Sequence, residues 1–175
     1  MLDGGKMKLE DIVDLELYKT LYPDLQQAFG DDMGKYWEHL CKNGIKEGRL
    51  FSYVYDPYFY RGTYFDLQSA FGNDWVGYLN HYLENGVKEN RQASKVFDAK
   101  YYKSLNDDLT NLSNVDATKH FIKHGINEWR ETSQFFNVKA YRDRYEDLRN
   151  AFNENCKKYY EHYIFRGQSE NRIVK

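Results

Sequence analysis

The chain has 175 residues and a formal net charge of −2, from 25 Lys and Arg against 27 Asp and Glu. That balance offers no basic field for nucleic acid and no polybasic run for an anionic membrane, and no apolar stretch approaches the ~20 residues of a membrane span. The length is enough to bury a core, and 17 Tyr and 11 Phe with only two Pro have to serve either that core or a stacking surface.

The opening MLDGGKMKLE lacks the apolar region of a signal peptide. Its Gly-Gly and second Met fit either a cloning junction or a native cytosolic start. Residues 1–13 read as a short polar leader, followed by repeats at 14–54, 55–96, 97–135 and 136–175, expected to form one cooperative domain. Each repeat carries one signature: a His, a Gly five residues later, a Glu three after that and an Arg two further on. The residues are His39, Gly44, Glu47 and Arg49; His81, Gly86, Glu89 and Arg91; His120, Gly125, Glu128 and Arg130; and His162, Gly167, Glu170 and Arg172. The histidines stand 42, 39 and 42 residues apart, so the third repeat has lost three residues between Leu109 and His120. The loss leaves the flanking pattern intact, which places it in a connection or at a helix start.

Within a repeat the second copy shows the pattern best. Asp56 is an N-cap and Pro57 suits the first helical position. Asp98 and Asn137 hold the same slot later. Tyr60, Tyr64, Leu67 and Phe71 then fall on one helical face, predicting a single helix to Phe71. Gly72-Asn73-Asp74 makes a break and a new N-cap. Trp75, Tyr78, Leu79, Tyr82 and Leu83 form the stripe of a second helix over about 75–85, which Gly86 is expected to end in a left-handed cap. The unit is therefore helix, break, helix, Gly turn and link. Periods of about 40 residues with two helices predict an all-α array of four helical-hairpin repeats, solenoid-like or a compact stacked bundle.

Repetition also bears on chemistry. A catalytic centre is one asymmetric constellation, whereas these histidines and glutamates recur four times. They read as scaffolding: a partly buried imidazole bonded to a neighbouring turn. No zinc spacing, phosphate loop or nucleophile elbow is present, so no catalytic residue, metal or cofactor is expected. The arginines are expected to satisfy helix-end carbonyls or to clamp onto Asp24, Asp66, Asp108 and Asp147, which recur before Leu in every repeat. Cys41 replaces Leu83 and Ile122, an apparent buried aliphatic slot, and with Cys156 reads as a free packing thiol. Tyr53, Tyr58, Tyr101 and Tyr160 lie off the stripes or near repeat boundaries. They are the candidate ligand-binding rings, because sugar C–H faces stack on aromatics beside planar polar groups.

The units read aromatic-Asp-x-x-aromatic-Tyr (Phe97 to Tyr102), then Asp-Leu and Ala-Phe-Gly-Asn-Asp (Asp66 to Asp74), then the signature His39 to Arg49. This pattern, over 14–175, resembles tandem repeats of secreted and surface proteins of gut clostridia, often appended to cell-wall hydrolases. The resemblance implies a non-catalytic attachment module at the bacterial surface or outside the cell, with a cell-wall polymer or glycan as partner. The alternative is an α-solenoid scaffold for a protein partner, whose interfaces favour the same Tyr, Trp and Arg. Neither reading involves nucleic acid or membrane insertion. Leu40 departs from the aromatic after His, Asn90, Trp129 and Asn171 depart from the Gly before Arg, and the third repeat lacks Ala-Phe-Gly. These departures mark the third repeat as the one to differ in function.

Overall fold

A computed structural model describes residues 5–175 of the chain. Leader residues 1–4 lie outside that range. The remainder of the leader is less polar in its role than expected: Met7 and Ile12 are buried, and Leu9–Ile12 forms helix α1. No strand occurs among the described residues, where β pairing is limited to isolated bridges such as Ser133–Phe136, so the fold is all-α.

Two compact units divide the chain. One is Lys6–Ser94 and the other is built on Lys95–Lys175, so each holds two repeats. In the first unit, α2 (Leu15–Leu21), α3 (Pro23–Phe29) and α4 (Met33–His39) belong to repeat 1. Repeat 2 supplies α5 (Pro57–Thr63), α6 (Phe65–Phe71) and α7 (Trp75–His81). In the second unit, repeat 3 supplies only α8 (Ala99–Ser104) and α9 (Asn114–Lys123). Repeat 4 supplies α10 (Val138–Arg144), α11 (Glu146–Phe152) and α12 (Cys156–His162). Side chains of Asp14, Asp56, Asp98 and Asn137 accept from the first-turn N–H groups of α2, α5, α8 and α10, as N-caps should.

The first half of a repeat is two short helices rather than one. Tyr64 is extended (φ −115°, ψ 100°) between α5 and α6, and Tyr22 and Tyr145 break the helix at the same place. The carbonyl exposed by the break is covered from the next helix: Gln68 Nε2 donates to Arg61 O at 2.8 Å and Gln26 Nε2 to Lys19 O at 2.7 Å. Side-chain spacing hid this break because one extended residue carries Leu67 and Phe71 back onto the same core.

The Gly turn also differs from expectation. Leu40–Gly44, Tyr82–Gly86 and Tyr163–Gly167 are π-helical turns, and Gly44, Gly86 and Gly167 do not have positive φ. The left-handed position falls four residues later, at Gly48, Asn90, Trp129 and Asn171, with φ of 67°, 56°, 56° and 52°. The chain then returns to its own start. The backbone N–H groups of Asp14, Asp56, Asp98 and Asn137 donate to Phe51, Ala93, Thr132 and Val174 at 2.7–3.1 Å. Each repeat is thus closed on itself by its link.

Within each unit the two repeats interlock through one slot filled from opposite sides. In the first unit, Gly48 of repeat 1 makes room for Trp75 of repeat 2; an added Cβ would come within 2.8 Å of the indole. In the second unit, repeat 3 contributes Trp129 at the position of Gly48, and repeat 4 has the small Cys156 at the position of Trp75. Trp129 packs edge-on against Tyr159 at 5.4 Å, and the Cys156 thiol meets the Trp129 backbone. Burial pushes that thiol up to about 11, so it remains protonated. Cys41, by contrast, is exposed rather than seated in an aliphatic slot.

Candidate functional site

Every repeat builds the same small frame. The phenol of Tyr18, Tyr60, Tyr102 or Tyr141, buried on the first helix, meets Nδ1 of His39, His81, His120 or His162 at 3.0, 2.9, 3.1 and 2.9 Å. The signature glycine is required at this contact. A Cβ on Gly44, Gly86, Gly125 or Gly167 would lie 2.1–2.3 Å from the tyrosine hydroxyl. The imidazole bonds a buried tyrosine of its own repeat, not the glutamate of its signature. Desolvation holds His81, His120 and His162 below the usual imidazole range, so they are neutral at pH 7.

The signature Glu and Arg make the second part. Arg49 Nε binds Glu47 at 2.6 Å while Nη1 reaches Asp24 at 3.0 Å. Arg91, Arg130 and Arg172 repeat this with Glu89 and Asp66, Glu128 and Asp108, and Glu170 and Asp147. The clamp is therefore internal to a repeat. It spans the helix break: Arg49, Arg91 and Arg172 lie 4.7, 5.0 and 4.6 Å over the rings of Tyr22, Tyr64 and Tyr145. Burial pushes the Tyr22 phenol up to about 12, and its oxygen accepts from Leu50 N at 2.7 Å. In repeat 3, Asn106 stands in for the tyrosine and accepts from Arg130 at 3.0 Å. The arginine backbone closes the turn as well, with Arg49, Arg91 and Arg172 N–H donating to Gly44, Gly86 and Gly167 O.

The four candidate ligand-binding tyrosines do not form one surface. Tyr53 and Tyr160 are 3% and 0% exposed, and Tyr160 packs against Phe121, Phe136 and Thr132. They are core rings: Tyr53 sits in the link that folds inward, and Tyr160 lies within α12 at the stripe position that Leu79 holds in repeat 2. Tyr101 is half-buried; its hydroxyl donates to Glu131 at 2.8 Å, and Lys175 lies over its ring. It borders a depression of about 220 Å³ with Asp98, Lys100, Ser104 and Gln134. Only Tyr58 is open, at 64% exposure, leaning on Trp75 at 4.8 Å while Arg61 covers that indole.

A second depression, of about 280 Å³, is lined by Phe29, Lys35, Glu38, His39, Lys42 and Asn43. Phe29 stands 5.9 Å from the His39 ring and edge-on to Tyr36 at 5.4 Å. Tyr18 already engages Nδ1 of His39, so Nε2 is the nitrogen left for a ligand. Both lysines are paired, Lys35 with Asp32 at 3.6 Å and Lys42 with Glu38. What remains is an aromatic wall with amide, imidazole and carboxylate groups. Phe71 and Phe152 hold the same position beside His81 and His162, at 6.1 and 5.8 Å. The rim changes from repeat to repeat: Lys35, Glu38, Lys42 and Asn43 become Gly77, Asn80, Glu84 and Asn85, then Lys158, Glu161, Phe165 and Arg166. Phe29 and the rim were not singled out from sequence. The available signal was the contrast of an invariant His with variable neighbours three and four residues away.

The class of molecule defined here is an all-α tandem-repeat protein whose invariant residues form the frame of each repeat. Comparison with protein-family models, with curated proteins and with solved structures finds no match in any of the three.

Proposed function

We propose that the chain is a non-catalytic binding module that attaches to a cell-wall or surface glycan at the outside of a bacterial cell. The observation that carries this reading is the depression beside His39. It offers an aromatic ring to a sugar face and Asn43, Glu38 and Nε2 of His39 to hydroxyls, and its cations are already neutralised. The Tyr–His pairs and Arg clamps recur in every repeat and hold its frame together, which supports a structural role for them. Repetition of a weak subsite raises overall affinity without any new contact.

The test is sedimentation with purified, protein-free Gram-positive cell walls, with soluble glycan fragments as competitors. Binding relieved by a defined glycan, and weakened by Asn43→Ala and Glu38→Ala at unchanged melting temperature, is the expected result. Absence of binding to every wall preparation would overturn it and favour a protein partner. Phe65, 79% exposed at the start of α6, supports that second reading.

A further inference from the structure

We propose that repeat 3 carries a two-imidazole site for a divalent transition metal, formed by His120 and His124. Five histidines occur in the chain; four belong to the repeated frame and the fifth is His124. Its counterparts in the other repeats are Asn43, Asn85 and Arg166, so only repeat 3 has a second imidazole four residues after the first.

The three-residue loss explains why the pair forms. It removes the phenylalanine that flanks the imidazole in the other repeats, and in repeat 3 the ring beside His120 is that of His124, at 5.5 Å. It also changes the end of the helix. Repeats 1, 2 and 4 leave their last helix through a π turn, whereas α9 runs on to Lys123 with His124 N–H donating to His120 O at 2.8 Å. An α turn places residues four apart on one face; the wider π turn rotates them away from each other. His124 is exposed and His120 half-buried, so the pair is open to solvent on one side.

The frame sets the ligating atom. Metal at Nε2 of His120 requires the proton on Nδ1, where the Tyr102 hydroxyl stands at 3.1 Å to accept it. This is the partner arrangement that fixes tautomer and ring orientation in metal sites. Imidazole nitrogen selects Cu²⁺, Ni²⁺ and Zn²⁺ over Mg²⁺ and Ca²⁺. No group of three or more ligating side chains occurs among the described residues, so water completes the coordination and the bound ion is exchangeable.

The experiment uses the full, untagged chain at pH 7.5 and titrates NiCl₂ and CuCl₂ while ring-proton NMR signals of all five histidines are followed. The three other frame histidines, His39, His81 and His162, act as an internal comparison. Broadening that begins selectively at His120 and His124, saturates at one equivalent and follows the order Cu²⁺ tighter than Ni²⁺ is expected. His124→Phe, which restores the ring found in the other repeats, should keep the fold and lose the selective broadening. Equal broadening at all five rings, or a His124→Phe protein that binds as the parent does, would overturn the assignment.

Discussion

At the scale of single residues, the glycines separate into two kinds that sequence alone treats alike. Gly86 sits under the Tyr60 hydroxyl, where a Cβ would be at 2.3 Å. Gly86→Ala should therefore cost about 1–3 kcal/mol of stability or more by overpacking a site that has no free volume. Gly62 lies in α5 with nothing within 4 Å of an added Cβ. Gly62→Ala should instead stabilise by about 0.5–1 kcal/mol through helix propensity. Urea unfolding of both variants checks the contrast, and equal effects would contradict the packing account. Tyr60→Phe removes only the hydroxyl that His81 uses and should cost about 1 kcal/mol in the same assay. Arg91→Ala, which loses Asp66, Glu89 and the Tyr64 ring together, should lower the melting temperature while leaving wall binding intact.

At the scale of elements, the interlock between paired repeats makes a reciprocal prediction. Gly48 and Trp129 share the left-handed backbone position, so a tryptophan is compatible with the conformation at residue 48. What forbids it is Trp75, already in the slot. Gly48→Trp alone should destabilise the Lys6–Ser94 unit strongly. Gly48→Trp combined with Trp75→Cys reproduces the arrangement of the other unit and should recover most of the loss. A thermal-denaturation double-mutant cycle measures the coupling, and strict additivity would refute the shared slot. The helix breaks are a related case. Tyr64 and Tyr145 are extended because their rings must lie beneath Arg91 and Arg172 while α6 and α11 start afresh behind them.

At the scale of the whole chain, the repeated frame predicts acid sensitivity in two windows. His81, His120 and His162 have folded values below the ordinary 6.5 because they are desolvated. Between those values and 6.5 the unfolded chain binds more protons than the folded one. Stability is accordingly complete above about pH 6.5 and falls as the pH drops through that range. A second loss follows further down. Hydrogen bonds from Arg91, Arg130 and Arg172 hold Asp66, Asp108 and Asp147 below the usual 3.8. Their contribution is present above that value and disappears as pH falls through their folded values. Urea midpoints measured from pH 8 to pH 3 test this; a flat profile between pH 7 and pH 5 would contradict the first window. No helix among the described residues is long and apolar enough to cross a membrane.

The linear chain was sufficient for what depends on local spacing. Asp56 as N-cap, the burial of Tyr60 and Leu67 on one face, the all-α class and the pairing of Arg91 with Asp66 all follow from periodicity, capping chemistry and recurrence. Tertiary structure decided whatever depends on which surface is already occupied. Tyr53 and Tyr160 read in sequence as lying off the stripes, yet the link carrying Tyr53 folds back into the core, and α12 turns Tyr160 onto Phe121 and Phe136. Gly86 looks like a left-handed cap, yet its real constraint is the hydroxyl of a tyrosine 26 positions earlier in the chain. The nearness of Trp75 to Gly48 likewise arises from three-dimensional exclusion, one side chain filling volume that another leaves empty, which linear spacing does not encode.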